Sequence, residues 1–212
     1  MSYEFHITID TNNYSTTKLE ELSEFTHNLG YKITTIHLDS GECPKQIMVT
    51  GILESKSKLE DIKREIRKIA IIFYKAGHKP IRVKMEIRYW GHAVQGAVYY
   101  EAHILHKFPL GHDYKKDVFL KILRDSVDAH VSRSAKEVKD YEARFITIRD
   151  KDYDAFEKKM NLYYDLYTHL NFNSDLFVPY KMKEEIEVAL WDTNADVDKG
   201  WLYASGRKRE EV

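Results

Sequence analysis

The chain has 212 residues, 43% hydrophobic and 32% charged, with 33 basic and 34 acidic side chains and a formal net charge of −1. That length and apolar share suffice for a buried core and exclude an intrinsically disordered chain, while the near-neutral balance excludes bulk attraction to nucleic acid or an anionic membrane. One cysteine, Cys43, excludes an intrachain disulfide; with no apolar run near the roughly 18 residues of a membrane span and no leader pattern, a cytoplasmic location is expected.

Residues 3–9 alternate, with Tyr3, Phe5, Ile7 and Ile9 on one side and Glu4, His6, Thr8 and Asp10 on the other. That is the period of a strand with one buried face. Thr17-Lys18-Leu19-Glu20 has the form of a capping box, and Leu19, Leu22, Thr26 and Leu29 make the inner stripe of the helix it opens, ended by Gly30. Residues 32–38 and 46–53 read as strands joined by a turn at 40–45. Ser57-Lys58-Leu59-Glu60 is a second capping box. The stripe Leu59, Ile62, Ile66, Ile69 and Phe73 follows, stopped by Gly77 and Pro80. Residues 82–89 alternate again, with Val83, Met85 and Ile87 inward and Lys84, Glu86 and Arg88 outward.

The order from 3 to 89 is therefore β-α-β-β-α-β, a ferredoxin-like split unit with both helices on one face of the sheet. Residues 91–97 carry two glycines and no periodicity, which predicts a linker. The order then starts again: strand 98–108, helix 114–129, short strand 130–134, strand 142–149, helix 153–170 and strand 182–191. The pentapeptide Tyr-Glu-x-His-Ile occurs at Tyr3–Ile7 and again, 97 residues on, at Tyr100–Ile104. The expectation is an α+β protein of two tandem ferredoxin-like lobes, residues 1–90 and 98–203, related by internal duplication and facing each other across a cleft. Residues 204–212 are expected to form a flexible tail, with Trp201 either pinning the tail or walling a ligand site.

A ferredoxin-like sheet leaves one face without helices. Alternation assigns Glu4, His6, Thr8 and Lys84 to that face, and the repeat assigns Glu101 and His103 to its counterpart. A histidine pair suits acid–base work, because an imidazole titrating near ~6.5 can take or give a proton close to neutrality. His6-Ile7-Thr8-Ile9 resembles the His-x-Thr-x motif of the two-histidine phosphoesterases. That resemblance implies a two-lobed protein with one motif per lobe. It implies action on 2′,3′-cyclic phosphates or 2′-5′ linkages without a required metal or other cofactor. His6 and His103 would be base and acid, with Thr8 as the oxyanion partner. The matching position of the second lobe reads His103-Ile104-Leu105-His106, and the other His-x-hydroxyl run is His130-Val131-Ser132-Arg133. His130 is accordingly the substitute for His103. Ser132, Arg133, Arg144 and Arg149, with Lys84 and Trp201, are the candidate substrate contacts.

Two other readings stand beside this one. His6 and His103 with a carboxylate such as Glu4, Glu101 or Asp192 suit a zinc or iron site. Alternatively the chain is a non-catalytic module binding a small molecule, a nucleotide or a partner protein. Asp192, Asp196 and Asp198 lack the glycine and terminal glutamate of a calcium loop and read as a solvated turn. No glycine-rich phosphate loop or nucleophile elbow is present, and the run Gly206–Glu210 is too short and mixed to bind duplex nucleic acid.

Overall fold

A computed structural model describes residues 1–38, 45–110, 113–134, 141–173, 180–194 and 197. The elements are β1 (Ser2–Ile9), α1 (Thr16–Asn28), β2 (Lys32–Leu38), β3 (Lys45–Glu54), α2 (Leu59–Lys75), β4 (Pro80–Arg88), β5 (Tyr99–Pro109), α3 (Asp113–Val127), β6 (His130–Ser134), β7 (Tyr141–Asp150), α4 (Tyr153–Asn173) and β8 (Tyr180–Asp192). The fold is α+β, and the β1–β3, β1–β4, β4–β8, β5–β7 and β6–β7 pairs are antiparallel. Cys43 and Trp201 lie outside the described residues, as do Asp196 and Asp198.

The chain divides into two compact units. The first holds Met1–Ile36, Lys45–Val98 and Glu187–Val197; the second holds His37–Pro44, Tyr99–Ile186 and Asp198–Val212. In the first unit the neighbours run β2, β3, β1, β4, and the C-terminal half of β8 lies against β4. This is the strand order of a ferredoxin-like sheet. In the second unit the order β6, β7, β5 and the first half of β8 is the same pattern.

The helix-facing side of the first unit buries Phe5, Ile7, Val49 and Met85 against Leu22 of α1 and Ile62, Ile66 and Phe73 of α2. The α2 stripe is the one its three- and four-residue spacing predicts, and burying each such side chain contributes about 1.5–3 kcal/mol. Phe25 on α1 meets Phe73 on α2 edge to face, with centroids 5.3 Å apart. Gly30 ends α1 at φ +79°, which a side chain would resist, and its N–H reaches His27 O at 2.9 Å.

Both predicted capping boxes are corrected. The N-cap of α1 is Ser15, whose Oγ accepts from Lys18 N at 3.2 Å, so the helix starts at Thr16 and Thr17 lies inside its first turn. The N-cap of α2 is Lys58, with no side-chain bond, while Ser57 N donates instead to Ser55 Oγ at 3.0 Å. A serine two residues upstream competes locally for the donor, and the helix begins on its apolar stripe without the cap. Glu60 and Asp61 still place negative charge at its positive end.

In the second unit α3 and α4 cover β5 and β7 with Phe119, Leu123, Phe156, Met160 and Tyr163. The core here is aromatic: Tyr100 stacks on Phe156 at 5.7 Å, and Tyr163 stacks on Tyr167 at 6.0 Å. No helix among the described residues is long and apolar enough to cross a membrane.

Candidate functional site

The helix-free face of the first unit is set by register. In the β1–β3 ladder His6 stands opposite Thr50, and in the β1–β4 ladder it stands opposite Lys84. Directly paired residues point to the same side, so three adjacent strands present one polar row. His6 Nδ1 lies 2.9 Å from Thr50 Oγ1. Its Nε2 lies 3.1 Å from Glu86 Oε2, with Glu4 Oε1 farther off at 3.9 Å. The Glu86 side chain is 0% exposed, and its other oxygen is 2.8 Å from Lys84 Nζ. A carboxylate taken fully out of water needs such partners, and here an ammonium and an imidazole supply them.

The second unit repeats the arrangement. His103 stands opposite Thr147 in the β5–β7 ladder, and its Nδ1 is 3.0 Å from Thr147 Oγ1. His103 Nε2 is 3.5 Å from Glu101 Oε2, again a carboxylate of 0% exposure. Arg149 Nε donates to Glu101 Oε1 at 3.0 Å, and its guanidinium carbon lies 4.5 Å from the centroid of the Tyr99 ring. In both units the histidine and its threonine are 44 residues apart. The imidazoles keep 15% and 26% of their side-chain surface.

The nearby carboxylates favour one tautomer. An ionised carboxylate only accepts, so its place beside Nε2 favours the proton on that nitrogen when the imidazole is neutral. In that tautomer Nδ1 holds the lone pair and the threonine hydroxyl donates to it. Each cluster brings together a hydroxyl, an imidazole and a buried carboxylate, with a cation balancing the carboxylate.

The other expected site residues fall as follows. Thr8 is two positions along the face from His6 but is 1% exposed, and its hydroxyl has no hydrogen-bond partner among the described residues. Thr50, not Thr8, is the hydroxyl at the His6 ring. Lys84 is on the face, held to Glu86. Arg149 is on the His103 face, held to Glu101. Arg144 stands opposite His106, on the helix-bearing side, and pairs there with Glu142. His130 stands opposite Thr147 on the side away from His103, so β6, β7 and β5 align His130, Thr147 and His103 in one row. His130 and Ser132 are both buried. Arg133 pairs with Arg144 in backbone register, and its side chain lies outside the described residues. Asp192 is held by Arg82, Nε to Oδ1 at 3.0 Å.

His106, the last residue of the His103–His106 run, belongs to the core. Its Nε2 is 2.8 Å from Tyr163 Oη, and its ring is packed against Phe119 at 5.5 Å and Tyr167 at 5.4 Å. Burial first, then Tyr167, Glu184 and Tyr164, push the Tyr163 phenol well above its ordinary range. Among the described residues no group of three or more His, Cys, Asp or Glu side chains is placed to hold a metal ion.

Thr50, Thr147 and Glu86 as histidine partners escape a reading of motifs, because cross-strand register decides them. A signal does exist: adding the 97-residue offset of the repeated pentapeptide to Thr50 gives Thr147.

No family model and no curated protein matches the sequence. Among solved structures, a candidate monooxygenase from Fusobacterium nucleatum is similar at 10% identity over 92% of this chain and 94% of its own, with a TM-score of 0.37. A mutant chlorite dismutase from Candidatus Nitrospira defluvii is similar at 8% identity over 95% and 93%, with a TM-score of 0.30. The small subunit of acetolactate synthase from Thermotoga maritima is similar at 13% identity over 90% and 98%, with a TM-score of 0.29. Similarity at this level carries no information about ligand or reaction.

Proposed function

We propose that the chain carries out acid–base hydrolysis or transfer at a phosphoester of a nucleotide or RNA end, on units that descend from one duplicated ferredoxin-like ancestor. The observation that supports this reading is the repeated histidine–threonine–carboxylate alignment, with the same ring nitrogen on the hydroxyl and nearly the same distance in both units. In the resting state the threonine hydroxyl occupies the imidazole lone pair. A substrate hydroxyl or water that takes its place gives its proton to Nδ1. The displaced threonine hydroxyl is then free to donate to a phosphoryl oxygen as charge builds there. Glu86 or Glu101 holds the ring and stabilises the imidazolium that forms.

A second reading has its own support. Both nitrogens of His6 are engaged by protein groups, and a carboxylate beside Nε2 opposes an anionic substrate. On that reading the clusters are satisfied polar networks that fix the sheet, and the chain is a non-catalytic module for a small molecule, nucleotide or protein.

One assay separates the two. The chain is incubated with 2′,3′-cyclic nucleotides and the phosphomonoester product is followed. Catalysis predicts turnover that falls by about 10²–10⁴-fold in His6→Ala or His103→Ala, the usual contribution of a positioned acid or base. No turnover, with nucleotide binding detected by calorimetry, supports the binding module instead.

A further inference from the structure

We propose that Thr50 is itself a nucleophile toward neutral acyl esters, with His6 as its base and Glu86 as the positioning carboxylate. The three side chains come from neighbouring strands, β3, β1 and β4, and lie in the sequence of contacts that activates a hydroxyl. Thr50 Oγ1 is 2.9 Å from His6 Nδ1, and His6 Nε2 is 3.1 Å from Glu86 Oε2. The first link is a hydrogen bond and the second an ion-pair contact. Glu86 is fully buried and makes an ion-pair contact with His6 Nε2, which favours the proton on that nitrogen and leaves the Nδ1 lone pair for the hydroxyl. Lys84 Nζ, 2.8 Å from the second carboxylate oxygen, balances the charge and holds the carboxylate in place.

Access distinguishes this cluster from its repeat. Thr50 is half-buried, with surface left for a ligand, whereas Thr147 is 2% exposed. The substrate class follows from the charges. Glu4 and Glu86 both approach His6 Nε2, which disfavours a carboxylate-bearing acyl group and leaves neutral esters.

The step balances as follows. The Thr50 oxygen forms a bond to the ester carbonyl carbon while its proton moves to His6 Nδ1. The tetrahedral adduct collapses, the ester carbon–oxygen bond breaks, and the departing alkoxide takes the proton from Nδ1. Water then adds to the Thr50 ester by the same route, its proton passing through His6 to the Thr50 oxygen as the acid is released. No oxidant, reductant or co-reactant is needed.

The test uses the full chain and p-nitrophenyl acetate, with peptide mass mapping of the acetylated protein. The expected result is an acetyl group on Thr50, formed at a rate that depends on the His6 ring. Thr50→Val abolishes the label, Thr50→Ser retains it, and His6→Gln slows it by about 10²-fold or more. Circular dichroism establishes that each variant is folded, and Thr50→Ser keeps the hydroxyl. Acetylation confined to lysines, no acetyl on Thr50, or Thr50 acetylation at a rate that His6→Gln leaves unchanged overturns the proposal. The outcome is independent of activity on cyclic nucleotides.

Discussion

Arg82 and Asp192, 110 residues apart in the sequence, form a two-point clamp: Nε donates to Oδ1 at 3.0 Å and Nη2 to Oδ2 at 2.6 Å. The parallel geometry matches the guanidinium fork to the carboxylate. The Arg82 side chain is 5% exposed and Asp192 is 0% exposed, so neither charge has water to fall back on. Asp192 Oδ1 also accepts from Asn194 N at 3.1 Å, and Thr193 Oγ1 accepts from Val83 N at 2.9 Å. The end of β8 is thereby fastened to β4 by side chains as well as by the ladder. Removing one partner strands the other, and Asp192→Ala is expected to cost about 3–5 kcal/mol. Urea unfolding should show a lower midpoint at unchanged slope. Asp192→Asn keeps acceptors for Asn194 and should lose less.

A close approach in β3 gives a steric prediction. Gly51 pairs with Phe5 across the β1–β3 ladder. A Cβ at Gly51 would lie 2.5 Å from Phe5 Cζ and 2.7 Å from Tyr31 Cδ1. Phe5 is fully buried and meets Tyr31 edge to face at 5.4 Å, so its ring has no room to withdraw. Gly51→Ala should destabilise by about 1–3 kcal/mol through overpacking. Phe5→Leu placed on top of it should be less costly than the two losses added, and a double-mutant cycle on unfolding free energies reads the coupling.

His78 predicts a pH dependence. Its ring is buried beside Tyr14, whose Oη is 3.1 Å from His78 Nδ1, and packs against Phe25 at 5.8 Å. Burial, and then the Lys18 charge, hold its pKa below the ordinary histidine value, with Glu21 opposing. The folded chain therefore resists a proton that the unfolded chain accepts. Stability from this group is complete above the unfolded value of about 6.5 and declines as pH falls through that value toward the depressed folded one. Thermal midpoints measured downward from neutral pH should fall, and His78→Phe should flatten that part of the profile.

Tyr163 and Tyr164 of α4 should be silent in an alkaline titration. Tyr163 and Tyr164 both have phenol pKa values pushed up, chiefly by burial, and Tyr164 further by its hydrogen bond to Glu184. Each favours the neutral phenol in the fold, so its contribution is present below the unfolded value near ~10 and lost above it. Phenolate absorbance from these two should appear only as the chain unfolds. Tyr163→Phe removes the hydroxyl partner of buried His106 Nε2 and should cost about 1–3 kcal/mol.

Elements with strong periodicity were legible in the sequence. The α2 stripe from Ile62 to Phe73 and the alternation of β1 depend on local spacing alone, and local spacing survives folding. Helix starts were less so, because Ser15 and Ser55 competed with Thr17 and Ser57 for the same kind of bond. The helix-free face was legible as a set of polar residues but not as a network. Which hydroxyl meets His6 depends on the β1–β3 register, and Thr8, the nearer choice in sequence, is buried without a hydrogen bond to the ring. The acid beside His6 came from β4 and the one beside His103 from β5, although the two histidines occupy equivalent positions. The two units share the imidazole and the hydroxyl, while the counter-charge comes from different strands, and no motif marks that difference.

β8 lends its first residues to the second unit and its last to the first, so the outer edge of β4 gains its partner from a segment synthesised only after β5 to α4. Until that segment leaves the ribosome, the nascent first unit carries an open strand with unmet backbone donors and acceptors. Such an edge invites pairing with another growing chain. Escape from aggregation during translation is therefore governed by how quickly one late strand is delivered, more than by how well the early residues pack.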